Sequence, residues 1–236
     1  MRTARASANS ELELLTIYEI SKALTSSLDF RKCLRNVMNL LVTQLHMRHV
    51  MCGLVQGDGK LHILGAAGVP WSLDRAPVLD PAEGVIGKVF SSGSPIVIPD
   101  IGDDPLFRNR TGRELEDLRG VSYLVVPLKN EREVIGFLSA DRHPGGERPM
   151  SFERDVRVLT LVANLLAQAW QLQQSVAADR QQLLEQSHRL QKQLQGKYDV
   201  ENVVGRSKRM KEVFSDVHQA APLERHRVAA RRVGYG

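Results

Sequence analysis

The 236-residue chain predicts an α+β fold, an antiparallel sheet flanked by helices. Three observations carry this. Apolar residues recur every three or four positions between Glu11 and Leu45, after which the period becomes that of strands. Two turn signals, Gly57-Asp58-Gly59-Lys60 and Asn130-Glu131, each separate a pair of strand-like runs. From Ser151 the helical period returns and continues to about Leu194 without Pro or Gly.

Residues 1 to 10 are small and polar and are expected to be disordered. A first helix follows from Glu11, its apolar face formed by Leu12, Leu15, Ile17, Tyr18, Ile20 and Leu24. Asp29 caps a second helix that carries Phe30, Leu34, Val37, Leu41 and Leu45 on one side. His49 to Gln56 and Leu61 to Ala67 form a hairpin, and a polar, Pro-containing stretch leads to Pro81. Glu83 to Ser92 reads as a short helix ended by Gly93, and Ser94 to Ile98 as a strand closed by Pro99. Asp100 to Gly120 is a long connection with a short helix expected at Arg113 to Arg119. Ser122 to Lys129 and Val134 to Asp141 make the second hairpin. Pro127 would cost a central strand one hydrogen bond, so a bulge or an edge is expected there. In the last helix Glu153 and Asp155 occupy the first turn, where acidic groups suit the helix dipole.

That last helix would span roughly 66 Å at about 1.5 Å per residue, too long for one small domain. A weak seam runs along it through Val162, Leu166, Ala169, Val176, Leu183, Leu190 and Leu194, interrupted by Gln173, Arg180 and Ser187. Both a parallel two-stranded coiled coil and a single solvated helix fit that pattern.

Composition narrows the function. Hydrophobic residues make up 42% and charged residues 25%, the range of a globular protein. No apolar run approaches the roughly 18 residues of a membrane helix, and the N-terminus lacks the apolar core of a signal peptide, so no membrane role and a cytoplasmic location are expected. Cys33 and Cys52 are too few for a disulfide framework or a metal site of their own. The net charge is +5, but +3 of it lies in Leu223 to Gly236, leaving a body near neutrality that does not favour nucleic-acid binding. No G-x-S-x-G surrounds Ser91-Ser92-Gly93-Ser94, so no nucleophile elbow is present. His46, His49 and His62 lack metal-ligand spacing with carboxylates and read as surface or satisfied histidines.

Four phrases in order resemble the GAF domain, a small-molecule sensor module. They are Gly84-Val85-Ile86-Gly87-Lys88-Val89-Phe90, Pro95-Ile96-Val97-Ile98-Pro99-Asp100, Val125-Val126-Pro127-Leu128 and Val134-Ile135-Gly136-Phe137-Leu138. A narrower resemblance, to the Nif-specific regulatory protein family, rests on three further stretches. These are Leu15-Thr16-Ile17-Tyr18-Glu19-Ile20-Ser21-Lys22, Asp104-Pro105-Leu106-Phe107-Arg108-Asn109-Arg110-Thr111 and Val162-Ala163-Asn164-Leu165-Leu166-Ala167-Gln168. Members of that family are sigma-54-dependent activators of nitrogen-fixation genes, with a GAF sensor, a linker, an AAA+ ATPase and a DNA-binding helix-turn-helix. The resemblance implies a GAF sensor over residues 11–170, a helical or coiled-coil linker over 171–197, and the start of the AAA+ domain over 198–222. Glu201-Asn202-Val203-Val204-Gly205-Arg206-Ser207 and Met210-Lys211-Glu212-Val213-Phe214 carry that last match.

Residues 223–236 do not continue it. In the family a strand and the phosphate loop GESGTGKE come next, whose backbone N–H groups and lysine cradle ATP phosphates. One permitted coding string for Leu223 to Gly236, read one base later, gives W-S-A-T-V-L-L-R-G-E-S-G-T-G, that strand and the start of that loop. The tail is therefore expected to be frameshifted, with a real short basic tail as the alternative. ATP and Mg, sigma-54 RNA polymerase and promoter DNA are expected as partners of a full-length protein only, and no enzyme activity or catalytic residue is expected of this chain. The resemblance further implies a homodimer through the linker helix and a PII-type signalling protein or an anti-activator as partner.

The resemblance to GAF domains implies a ligand between the sheet and the helices or loops after the second hairpin strand, a stretch matched here to Asp100 to Arg113. That stretch carries Arg108, Asn109, Arg110, Thr111 and Arg113, a set that would clamp a dicarboxylate or a phosphate through bidentate guanidinium pairing, and the family resemblance implies 2-oxoglutarate as such an effector. Solvated loop arginines are the alternative. Trp71 would cover that pocket or simply pack. A stand-alone ligand-binding regulator, another sigma-54 activator and a GAF thiol enzyme using Cys52 complete the readings.

Overall fold

Strong hairpin signals and apolar strands build one six-stranded sheet in the computed structural model, which describes residues 2–27, 29–102, 104, 105, 107, 118–131, 133–143, 151–197, 212, 213, 215 and 216. The elements are α1 (Arg2–Thr25), α2 (Phe30–Leu45), β1 (Arg48–Val55), β2 (Leu61–Ala67), a 3-10 turn (Leu73–Arg75) and β3 (Val78–Leu79). α3 (Gly84–Ser92), β4 (Ile96–Ile98), β5 (Ser122–Lys129), β6 (Val134–Arg142) and α4 (Phe152–Lys197) follow. The strand order is β3-β2-β1-β6-β5-β4, and every neighbouring pair is antiparallel.

Both faces of the sheet are covered, which is why its strands are nearly continuous apolar runs. Val50, Cys52, Leu54, Leu124, Val126, Leu128, Leu138 and Ala140 meet α1, α2 and the first half of α4. Met51, Tyr123, Val125 and Phe137 point the other way, into a second cluster with Val85 and Val89 of α3. The two sets alternate along each strand, as the pleat requires. Gly136 lets β6 approach β1, since a Cβ there would lie 2.4 Å from the Gly53 carbonyl oxygen.

Several expectations change. The helix begins at Arg2, not Glu11, so residues 2–10 are helical and not disordered. Ala4, Ala6 and Ala8 favour helix there, and neither Pro nor Gly interrupts it. The buried side of α1 runs through Thr16 and Ile20, leaving Leu15 and Tyr18 54% and 62% exposed. The Thr16 hydroxyl donates to the Leu12 carbonyl at 2.7 Å and lies 2.9 Å from Gln44 Oε1 of α2, so a polar residue docks the two helices. β3 is a strand that no sequence signal announces. Pro127 sits where β5 has an open edge, because β4 begins only at Ile96, opposite Val125, while the bulge falls at Leu128/Lys129.

Two caps are as expected. The Asp29 carboxylate accepts from the Arg31 and Lys32 backbone amides, and α3 ends on Gly93 in the left-handed region. Asp155 does not serve the helix dipole from the surface. It is buried with Arg142, whose Nε donates to Asp155 Oδ2 at 2.9 Å and whose Nη1 donates to the Leu45 carbonyl at 2.8 Å. Arg142 thus joins β6, the C-terminus of α2 and the start of α4.

The chain forms two compact units, Met1–Val176 and Ala177–Gly236. α4 contributes to both and includes Gly196, where the sequence pattern would end it. Of its expected seam, Val162 and Leu166 are fully buried in the first unit, with Ala169 packed beside them. Val176, Leu183 and Leu190 are 51%, 65% and 60% exposed. The short helix expected at Arg113 to Arg119 and the tail at 223–236 lie outside the described residues, apart from 118 and 119.

Candidate functional site

The face of the sheet opposite α1, α2 and α4 carries the candidate site. Met51, Tyr123, Val125 and Phe137 are buried on this face, packed with Val85 and Val89 of α3. A cleft of about 620 Å³ opens beside α3, lined by Pro81, Ala82, Gly84, Gly87, Lys88, Phe90, Ser91 and Pro105. Gly87 keeps this turn tight, since a Cβ would stand 2.4 Å from the Ala82 carbonyl carbon.

The long connection is tied to this face at both ends. Asp100 accepts from the Gly102 amide at 2.9 Å and from the Gly120 amide at 3.1 Å, so one carboxylate closes the base of the segment. Phe107 lies edge-on to Tyr123, with ring centroids 5.4 Å apart. Leu118 is 2% exposed in the same cluster. Phe107 and Leu118 both lie on this face. Arg108, Asn109, Arg110, Thr111 and Arg113 lie between, outside the described residues.

Trp71 packs against the same cluster. Its indole Nε1 is buried without a hydrogen-bond partner, and Trp71 is not among the residues lining the cleft. A buried N–H left unpaired is costly, and a polar ligand atom is one way to satisfy it. Lys88 is a cation at the cleft that the sequence pattern does not single out.

The thiols are not poised for chemistry. Cys33 and Cys52 are both free and buried. Burial pushes the Cys52 thiol up to about 12, so it is protonated at neutral pH and a poor nucleophile. Of the histidines, His62 Nε2 lies 2.7 Å from Asp58 Oδ2 in the first hairpin. This hydrogen bond from His62, with one from the Lys60 amide, holds the exposed Asp58 carboxyl below its usual range. His46 caps α2 in the left-handed region, with φ 52°. His49 is not a surface histidine of the ordinary kind, since its Nδ1 stands 3.0 Å from the fully buried carboxylate of Asp141.

A fold of this kind has known relatives. The GAF domain family model matches residues 29–170. The chain belongs to the GAF domain family.

The solved GAF domain of A. aeolicus nlh2, in an inactive state, superposes with a TM-score of 0.61 at 27% identity, covering 69% of this chain and 98% of that one. A Nif-specific regulatory protein of Herbaspirillum seropedicae is 46% identical over 213 residues, which cover 89% of this chain and 39% of the relative. One from Azospirillum brasilense is 38% identical over 226 residues, 95% of this chain and 36% of the relative. This GAF protein is thus a homologue of Nif-specific regulatory proteins, and it spans less than two fifths of the length of these relatives. None of its described helices is long and apolar enough to cross a membrane.

Proposed function

We propose that the chain is the regulatory portion of a sigma-54-dependent activator of nitrogen-fixation genes, controlling a downstream AAA+ ATPase. The observation that carries this reading is the extent of the likeness. Similarity to the Herbaspirillum relative runs over 213 residues at 46% identity, well beyond the 29–170 stretch that the GAF fold alone accounts for.

In this reading the sensor is the GAF unit, and residues 171–197 of α4 are its output linker. Residues 198–222 begin the ATPase domain, and 223–236 are a frameshifted tail. The effector is a small dianion of the 2-oxoglutarate type, bound on the α3 face of the sheet. Arg108, Arg110 and Arg113 take its carboxylates, Asn109 and Thr111 its remaining oxygens, and the Trp71 Nε1–H one further acceptor. The unpaired indole N–H and the packing of Phe107, next in sequence to Arg108, on Tyr123 support this reading. Binding would favour one of two arrangements of α4, and the ATPase would read that difference. A homodimer forms through the exposed seam of the linker, and a PII-type protein or an anti-activator reads the same unit. The unit regulates in this reading, and a thiol enzyme is disfavoured by two buried cysteines, the Cys52 thiol pushed up to about 12.

Exchanging the matching part of the Herbaspirillum relative for this chain tests the reading. A nitrogen-fixation promoter reporter should remain repressed by fixed nitrogen and active without it. Activity that ignores nitrogen supply, from a hybrid of normal abundance, would overturn it.

A further inference from the structure

We infer that His49, Asp141 and His143 form a site for a divalent first-row transition-metal ion at one end of the sheet. Each of the three offers one ligand atom, and these atoms all lie within 4.8 Å of one another. Two imidazoles and one carboxylate are a donor set that suits zinc, cobalt, nickel or ferrous iron rather than calcium or magnesium. Around an ion bound at about 2.1 Å, tetrahedral ligand atoms are roughly 3.4 Å apart. The cluster therefore closes by no more than about 1.4 Å to grip an ion, a change side-chain rotation supplies.

The fold builds this cluster from residues far apart in sequence. Pairing of β1 with β6 sets Arg48 opposite Asp141, and a register shift between Arg48 and Met51 frees His49 from the regular pleat. His49 has φ 45°, in the left-handed region, where histidine is among the few side chains found with any frequency. The two imidazole rings come to lie nearly parallel, 27° apart in plane, with centroids 6.5 Å apart. His49 Nδ1 and Asp141 Oδ2 are 3.0 Å apart, yet Nδ1 is a buried nitrogen without a hydrogen bond. Proximity without hydrogen-bond geometry is what two lone-pair donors to a common ion would show.

A further polar atom lies on the same strand face. Ser139, two residues before Asp141 and fully buried, has a hydroxyl with no hydrogen-bond partner. Three protein ligands leave at least one coordination position open, and a water there would be available to such a hydroxyl. Between Asp141 and His143 stands Arg142, which holds the C-terminus of α2 and Asp155 of α4. An ion at this corner would stiffen the end of β6 beside the helix that leaves the domain. This inference does not depend on the identity of the effector or on the downstream ATPase.

The test uses the full chain, stripped of metal with a chelator and titrated with Co²⁺ and then Zn²⁺. One equivalent of Co²⁺ should give ligand-field absorption in the visible, displaced by one equivalent of Zn²⁺, and Zn²⁺ should raise the melting temperature. His49→Gln and His143→Gln should each weaken uptake roughly tenfold or more and abolish the rise. His62→Gln should leave both unchanged. His143 is only half-buried, so its variant keeps the test valid if changes at the buried Asp141 prevent folding. No saturable uptake at one equivalent would overturn the inference. So would uptake that survives both His49→Gln and His143→Gln, or that is lost with His62→Gln instead.

Discussion

At the residue scale, Arg142 concentrates the most consequence in one side chain. Its guanidinium and the Asp155 carboxylate are 4% and 3% exposed, so both charges depend on each other and on the Leu45 carbonyl for what water would otherwise supply. Breaking such a pair leaves one charge buried and uncompensated. Asp155→Asn is therefore expected to destabilise the domain by about 3–5 kcal/mol, read by urea denaturation. Cys52 illustrates the opposite case, a group kept neutral. With its thiol at about 12 against an ordinary value of 9.0, the folded state binds this proton more tightly than the unfolded state does. That contribution to stability is complete below pH 9 and is lost as pH rises from 9 towards 12. In the native protein at pH 8, iodoacetamide should label neither cysteine, while in urea it should label both. Rapid native labelling of Cys52 would contradict the burial described.

At the scale of elements, turn chemistry and alternation are legible in the sequence, and long-range pairing is not. The Asp29 cap, the hairpins at 57–60 and 130–131 and the Gly93 stop follow from local rules. Asp29→Ala should cost about 1 kcal/mol by thermal unfolding. Gly136→Ala should cost more, roughly 1–3 kcal/mol by the same measurement, because the clash is with the Gly53 backbone and neither strand can yield without moving the sheet. β3 escapes a reading of the sequence because its two residues, Val78 and Leu79, carry no period and pair only through Leu61 and His62. The start of α1 escapes it because small residues suggest disorder, although alanine is the best helix former. The His49, Asp141 and His143 cluster is hidden by the long stretch of chain between its first two members. The two-residue spacing of Asp141 and His143 across Arg142, at the end of β6, is the one local signal for it. Trp71 is legible as a site residue only in part. It packs in the cluster on the α3 face, and its unpaired indole N–H is a property of the folded surroundings.

At the scale of the whole molecule, the proposed sensor has its input face and the start of its output helix on opposite sides of one sheet. Val162 and Leu166 of α4 are committed to the core, so the seam free to meet a second chain begins beyond them, at Leu172, Val176, Leu183, Leu184 and Leu190. Exposed leucines at that density on one helix favour self-association. The chain should sediment as a dimer, and Leu183→Asp combined with Leu190→Asp should return it to monomer without changing its stability by more than about 1 kcal/mol. Everything proposed for the input side turns on whether the α3 face of the sheet takes up a small dianionic effector. Calorimetric titration of the full chain with 2-oxoglutarate tests this most directly. Saturable binding at one site per chain is expected. It should weaken at least roughly tenfold in an Arg108→Ala, Arg110→Ala double variant, since removing a charge-assisted guanidinium–carboxylate hydrogen bond costs about 1.5–3 kcal/mol. Absence of saturable binding, or binding that the double variant leaves unchanged, would contradict it.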